Sequence, residues 1–436
     1  MERLYADGVV KWRNIIPPHW ELFRFRYLFS FSRGINITKA DLSDEGVPCV
    51  TYGDIHSRYG FELNPNKHTL RCVGKDYLAL ARKSMLDKGD FIFADTSEDV
   101  EGSGNFTYLD SETKTVAGYH TIIAKPKNPK MSRYIAYVFD SIPFRTQIRS
   151  KVYGIKVFSI TQAILKDAVI PIPPIEEQRI IVNHLDLQTS VLDNILLDLA
   201  RQTNMLEHYK RELIANVFTH GLDKSVPRKD SGVDWIGSIP TSWELFPLFA
   251  VAKENKIKNT GLVCSNLLSL SYGRIVTKDI DSAFGLLPES FEGYQIVQPG
   301  YTVLRLTDLQ NDKRSLRTGY TTETGIITSA YMGLIPGERL DSKYFAYLLH
   351  AYDLLKIYYG FGSGLRQSLK FNDMKRLPVL VPPMPEQKHI VAYIDTKTSQ
   401  INTLIADISK QIQRLKQYRQ IVIHNAVTGK IKVTEG

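Results

Sequence analysis

A branched aliphatic residue returns every seventh position along two stretches of the chain. In the first, Leu185, Leu192, Leu199, Leu206 and Leu213 are interleaved with Gln188, Ile195, Gln202, Tyr209 and Asn216. In the second, 209 residues further on (185 to 394), Ile394, Ile401, Ile408, Leu415 and Val422 are interleaved with Lys397, Leu404, Gln411, Tyr418 and Asn425. A seven-residue repeat predicts a coiled-coil seam, because its 3.5-residue spacing keeps a narrow stripe facing a partner helix. Both stretches are bounded alike. Pro173-Pro174 followed by Glu176 and Glu177, and Pro382-Pro383 followed by Glu386, are helix starts. Proline lacks the donor that would be orphaned there, and the carboxylates face the positive end of the helix dipole. Gly221 and Gly429 are the stops, since glycine takes the left-handed conformation that ends a helix. Each helix then runs for roughly 45 residues, about 65 Å at 1.5 Å per residue, too long to belong inside one small domain. Gln202 and Gln411 place a polar residue at the same point of each seam and are expected to fix the register.

Outside these helices the pattern shortens. Strand-like runs fall at 47–55, 91–94, 116–124 and 168–172, with a helical run rich in Tyr and Phe over 132–148. A second series follows at 262–270, 301–306, 325–335 and 377–381, with a helical run over 342–358. The chain is therefore written twice. All four tryptophans lie in two copies of one phrase, Trp12-Arg-Asn-Ile-Ile-Pro-Pro-His-Trp20-Glu-Leu-Phe and Trp235-Ile-Gly-Ser-Ile-Pro-Thr-Ser-Trp243-Glu-Leu-Phe. The phrase Pro173-Pro-Ile-Glu-Glu-Gln178-Arg-Ile-Ile-Val recurs as Pro382-Pro-Met-Pro-Glu-Gln387-Lys-His-Ile-Val. Most residues between the shared phrases differ, which implies one scaffold carrying two surfaces. The expected fold is α+β: mixed domains over 1–173 and 223–382, separated by long helices over 174–222 and 383–436. The two helices form an antiparallel coiled coil with internal pseudo-twofold symmetry, a domain at each end.

Composition narrows the function classes. At roughly 150 residues per domain, 436 residues suggest about three units. The 55 Lys+Arg against 46 Asp+Glu give a net charge of +9, which makes a polyanionic partner worth testing. Three cysteines without CxxC spacing argue against a disulfide framework and a structural zinc site, and so for a reducing compartment. The first residues hold acidic side chains and no apolar core, and no run of about 18 uncharged apolar residues occurs, so neither secretion nor membrane spanning is expected.

These residues resemble the specificity subunit of type I restriction–modification systems. The likeness rests on Ser231-Gly-Val-Asp-Trp-Ile-Gly-Ser-Ile-Pro-Thr-Ser-Trp243, the two Pro-Pro-x-x-Glu-Gln-x-x-Ile-Val phrases, and Leu415-Lys-Gln-Tyr-Arg419, and it extends over essentially the whole chain. The first phrase, Asp7-Gly-Val-Val-Lys-Trp12, departs from the pattern. The resemblance implies two target-recognition domains, each reading one half of a bipartite double-stranded DNA sequence, with the helices as spacer. It implies a non-catalytic, cytoplasmic host-defence protein without a cofactor of its own. Two modification subunits would bind S-adenosylmethionine and methylate adenine, and restriction subunits would use ATP and Mg. A free-standing two-headed DNA-binding regulator is the alternative with the same layout.

For such a reader, Arg and Gln match purine edges while Lys mainly neutralises phosphate. The loop candidates are Arg58, Tyr59, Lys151, Tyr153 and Lys156 in the first domain, and Arg274, Lys313, Arg314, Arg317, Arg366 and Gln367 in the second. Each competes with an ordinary reading as a solvated surface charge. Sets that would carry chemistry are weak. Asp95 or Asp99 with Glu112 and Lys114 reads first as polar turns, and Tyr358-Tyr-Gly-Phe-Gly-Ser-Gly364 lacks the partner motif a methyltransferase needs.

Overall fold

The computed structural model describes residues 12–154, 156–279, 290–309, 311–312, 315–361, 368–431 and 433. The chain divides into two compact units, Met1–Leu199 with Lys410–Gly436 and Ala200–Ser409, so that each unit holds part of both long helices.

Unit 1 is built on two sheets. The first has five strands in the order Phe29–Arg33, Thr121–Pro126, Phe91–Ala94, Phe106–Leu109, Phe61–Leu63. Its neighbours are antiparallel except the last pair, where Phe61–Leu63 runs parallel to Phe106–Leu109. The second has four, Cys72–Val73, Val47–Val50, Thr115–Ala117 and Met85–Leu86. The run 116–124 thus divides between two sheets, with the chain turning at Gly118–His120 and His120 held at φ 55°. The run 47–55 ends early as well. Asp54 accepts from both the backbone N–H (3.0 Å) and the hydroxyl (2.8 Å) of Thr51, and this capping pair starts a short helix, Tyr52–Ser57. Helix α1 (Ser132–Asp140) gives way to a second, Ile142–Arg149, with Pro143 in its first turn. Phe25, Phe91, Phe93, Phe106, Phe139 and Phe144 fill the space beneath the five-stranded sheet, most of their rings meeting edge-on or tilted.

Unit 2 repeats the plan with different edges. Its first sheet is Ala252–Glu254, Met332–Pro336, Thr302–Leu304, Thr318–Tyr320, and its second is Arg274–Lys278, Leu267–Ser271, Gly325–Ile327, Gln295–Val297. In each unit a short antiparallel ribbon joins the Trp phrase to the Pro-Pro phrase: Phe23 pairs with Ile170, and Phe246 with Val379.

The long helices are α2 (Ile175–His220) and, after α3 (Ser342–Leu354) in unit 2, α4 (Met384–Val427). Within each unit their segments run antiparallel. In unit 1 Asp193 meets Arg419, while Trp20 lies against both Glu177 and the Gly429 turn. In unit 2 Lys210 meets Asn402, and Gly221 lies near Glu386. The residues at seven-residue spacing, Leu185, Leu192, Leu199, Leu206 and Leu213, and Ile394, Ile401, Ile408, Leu415 and Val422, are all buried or half-buried. The interleaved positions are not those expected. Ile195, Gln202, Tyr209, Leu404, Gln411 and Tyr418 are exposed. The covered positions lie one residue further on: Thr189, Leu196, Thr203, Lys210 and Val217, and Thr398, Ile405, Ile412, Arg419 and Ala426. Gln202 and Gln411 therefore do not sit in the seam, and the register role expected of them is withdrawn.

Candidate nucleic-acid interface and its helical support

Each unit anchors the start of a long helix with the same bonds. The indole N–H of Trp20 donates to Glu177 (2.9 Å), and that of Trp243 donates to Glu386 (2.9 Å). Gln178 donates to the carbonyl of Pro173 (2.8 Å) and Gln387 to that of Pro382 (2.9 Å), tying the first turn to the Pro-Pro pair. The buried Tyr134 and Tyr344 donate to the carbonyls of Pro171 and Leu380 on the ribbon strands (3.1 and 3.2 Å). These contacts explain the duplicated phrases: they are the joints between domain and helix. A helix end closes on the same tryptophan. Gly221, at φ 80°, packs against Trp243, and Gly429, at φ 66°, packs against Pro17 and Trp20, so a side chain at either would meet strained backbone and an occupied space.

A polar network beside these joints was missed in the sequence. In unit 1, Asp186 accepts from Arg133 (2.9 Å) and Tyr137 (2.5 Å), and Tyr137 also contacts Thr189 (3.1 Å). In unit 2, Lys343 pairs with Asp395, and Tyr347 donates to Asp395 (2.7 Å). The available signal was a shared spacing: Tyr134 and Tyr137 recur as Tyr344 and Tyr347 at an offset of 210, and Asp186 and Thr189 as Asp395 and Thr398 at 209. Burial, then the bond to the neighbouring carboxylate, raises the Tyr137 and Tyr347 hydroxyls well above their ordinary range, so both remain donors.

The expected DNA-facing residues fall into three groups. Arg58 is exposed at the end of Tyr52–Ser57, and Tyr59 is held in place, stacked on His68 (centroids 4.6 Å apart) and donating to the carbonyl of Thr69 (2.7 Å). Lys151, Tyr153 and Lys156 are exposed together on the segment after Ile142–Arg149. Arg274 is exposed on a tight hairpin whose two turn residues, Tyr272 and Gly273, both have positive φ (48° and 75°), the geometry that matches strand twist. That turn leaves Tyr272 89% exposed. Lys313, Arg314, Arg366 and Gln367 lie outside the described residues.

Arg317 is a correction. Expected on a DNA-facing loop, it is fully buried, and its guanidinium donates to the carbonyls of Arg305 (3.1 Å), Thr307 (2.8 Å), Asp308 (3.4 Å) and Asp312 and to the hydroxyl of Tyr359 (3.3 Å). Five fixed donors suit this task, closing a loop around one cation, and leave no fork for a base edge. The carboxylate set does not converge either: Asp95 holds His120 (3.1 Å), whereas Asp99 accepts from the Gly102 N–H (2.6 Å) in its own turn. Among the described residues no group of His, Cys, Asp or Glu is arranged to hold a metal ion, and no helix is long and apolar enough to cross a membrane.

Two mixed α/β units, each latched to one end of a long helix and each presenting basic and aromatic residues on loops, define a duplicated recognition scaffold. Residues 17–203 and 318–414 match the type I restriction modification DNA specificity domain, and the chain belongs to that family. Among its relatives are two proteins of Methanocaldococcus jannaschii. The type I restriction enzyme MjaVIII specificity subunit is 23% identical over 68% of this chain and 70% of its own. The putative type I restriction enzyme MjaX specificity subunit is 26% identical over 63% of this chain and 62% of its own. A solved chain described with the complex assembly and conformational transition of the type I R-M system has the same fold (TM-score 0.66, 16% identity, covering 95% of this chain and 99% of that one).

Proposed function

We propose that this chain is the DNA specificity subunit of a type I restriction–modification assembly and works in the cytoplasm. Each unit reads one half of a bipartite double-stranded target, through loops bearing Arg58, Lys151, Tyr153 and Lys156 in one unit and Arg274 with its hairpin in the other. The observation that carries this reading is the sameness of the joints, Trp20–Glu177 and Trp243–Glu386, beneath loops that differ in sequence and form. Such a design holds the frame constant while letting base choice vary. The chain supplies no catalysis in this reading. Methyl transfer from S-adenosylmethionine and ATP- and Mg-dependent restriction belong to partner subunits.

The exposed apolar residues beside the seam support a place for those partners. Unit 1 presents Ile195 and Tyr418, 40% and 51% exposed, within a turn of the Asp193–Arg419 contact. Unit 2 presents Leu404 and Tyr209, 52% and 53% exposed, within a turn of the Lys210–Asn402 contact. The pairs are the same positions exchanged between the helices, so one partner surface fits both, and two modification subunits per chain follow. Light scattering of the chain mixed with its modification subunit tests this. A ratio of two to one is expected, falling to one to one when Ile195 and Tyr418 are both changed to Asp. Tight, sequence-selective DNA binding by the chain alone, with no association, would instead support the free-standing regulator.

A further inference from the structure

Each unit has a cavity where its recognition domain meets its own segments of the long helices, and the two cavities are charged differently. In unit 1, Arg419 donates to Asp140 (2.8 Å) and Asp193 (3.0 Å), and Arg145 also donates to Asp140 (3.1 Å). The cations of that cavity are met by carboxylates of the chain itself. In unit 2 the position of Arg419 is taken by Lys210, that of Asp193 by Asn402 and that of Asp140 by His350. Both carboxylates that hold the seam cation are thus replaced by neutral groups.

What is left is a cavity of about 420 Å³ lined by Lys210, Lys343 and Arg274 and by no acidic residue. Lys210 keeps Glu207 (2.8 Å) and the Asn402 carbonyl (3.1 Å), and Lys343 keeps Asp395. Arg274 has no ion pair among the described residues. His350 lines the same cavity, and its Nδ1 is buried without a hydrogen-bond partner. Burial, then the ammonium of Lys210, hold its ring to about 4, so it is neutral. An unpaired cation, a buried nitrogen without a partner and two missing carboxylates leave a site poorer in negative charge than its counterpart in unit 1. The rings of Tyr272 and Tyr347 on the lining add flat apolar surface beside the charges, and the volume lies within the range of small-ligand pockets.

We propose that this cavity of unit 2 binds the phosphate of a nucleotide, with Lys210, Lys343 and Arg274 around the phosphate and a tyrosine against the base. The phosphate takes the place that Asp140 and Asp193 fill in unit 1. This site goes beyond DNA reading by the loops, with which it shares Arg274; Lys210, Lys343 and His350 belong to the cavity alone.

The test is calorimetric titration of ADP into the full-length chain, alone and after saturation with duplex DNA. Saturable binding of ADP by the chain alone is expected, weakened by about tenfold or more in His350→Asp, which restores the unit 1 carboxylate beside Lys210, and in Arg274→Ala, whose exposed hairpin position leaves the core intact. A single cooperative thermal melt for each variant, well above the titration temperature, establishes that they fold. Binding that persists with DNA present identifies a free nucleotide as the ligand, and binding displaced by DNA identifies a backbone phosphate. Absence of ADP binding to the chain alone, or affinity unchanged in both variants, overturns the proposal.

Discussion

Arg419 and Lys210 stand at the same seam position of two helices, yet their surroundings have little in common. Arg419 is 16% exposed and bridges two carboxylates, Asp140 at 9% and Asp193 at 50% exposure. Lys210 meets an amide and a carboxylate one helical turn away on its own helix. The joints several helical turns away, by contrast, agree in donor, acceptor and distance. Where helix and domain must meet at a fixed angle, the two halves use the same bonds, and where the domain opens toward a ligand, they diverge. The difference separates what holds the scaffold from what each unit does with it.

The largest effect expected from breaking the shared part is at Trp243, which is fully buried and bonded to Glu386. Trp243→Ala removes that bond and opens a cavity under Gly221, so unit 2 should lose about 3–5 kcal/mol in denaturant unfolding. Next comes Arg419→Met. It leaves Asp140 and Asp193 facing each other without their bridge and should cost about 2–4 kcal/mol, a little below the range for wholly buried pairs because Asp193 reaches solvent.

His350 gives a smaller, pH-dependent effect. Its folded value of about 4 lies below the ordinary 6.5, so between those values the unfolded chain binds the proton and the folded one does not. Stability contributed by the neutral ring is complete above about 6.5 and is lost as pH falls toward 4. In ligand-free thermal melts, wild type should therefore lose its advantage over His350→Gln across that window, and an advantage constant with pH would contradict the burial argument. Smallest is Lys210→Met. Its bonds are to exposed or neutral groups, and the expected change is below about 1 kcal/mol, so a loss equal to that of Arg419→Met would erase the contrast between the units.

Much of the fold was legible because it is duplicated. The Trp and Pro-Pro phrases mark the joints, and the leucines and isoleucines at seven-residue spacing are all buried or half-buried. The other half of the seam was not legible, for a physical reason. Hydrophobicity points to Ile195, Tyr209, Leu404 and Tyr418, but these are exposed, while the seam encloses Thr189, Lys210 and Arg419. Polar residues are tolerated inside because the domain supplies Asp140 to Arg419 and Tyr137 to Thr189 across the chain. Apolar ones are tolerated outside as surface for another subunit in the reading proposed above. Pattern alone cannot distinguish a stripe that faces its own partner helix from one that faces another protein. Arg317 was misplaced for a related reason: loop position suggested solvent, whereas four carbonyls of its own preceding loop, Arg305, Thr307, Asp308 and Asp312, fold back on the guanidinium, and Tyr359, beyond α3 in the sequence, closes it.

The central claim is that two independent readers share one frame. Its most direct test is a map of methylated motifs in cells carrying the complete operon, before and after the segment between Gly221 and Met384 is exchanged for that of a relative. One half of the bipartite motif should change, while the other half and the spacing stay as they were. Change in both halves, or an unchanged motif, would contradict the account.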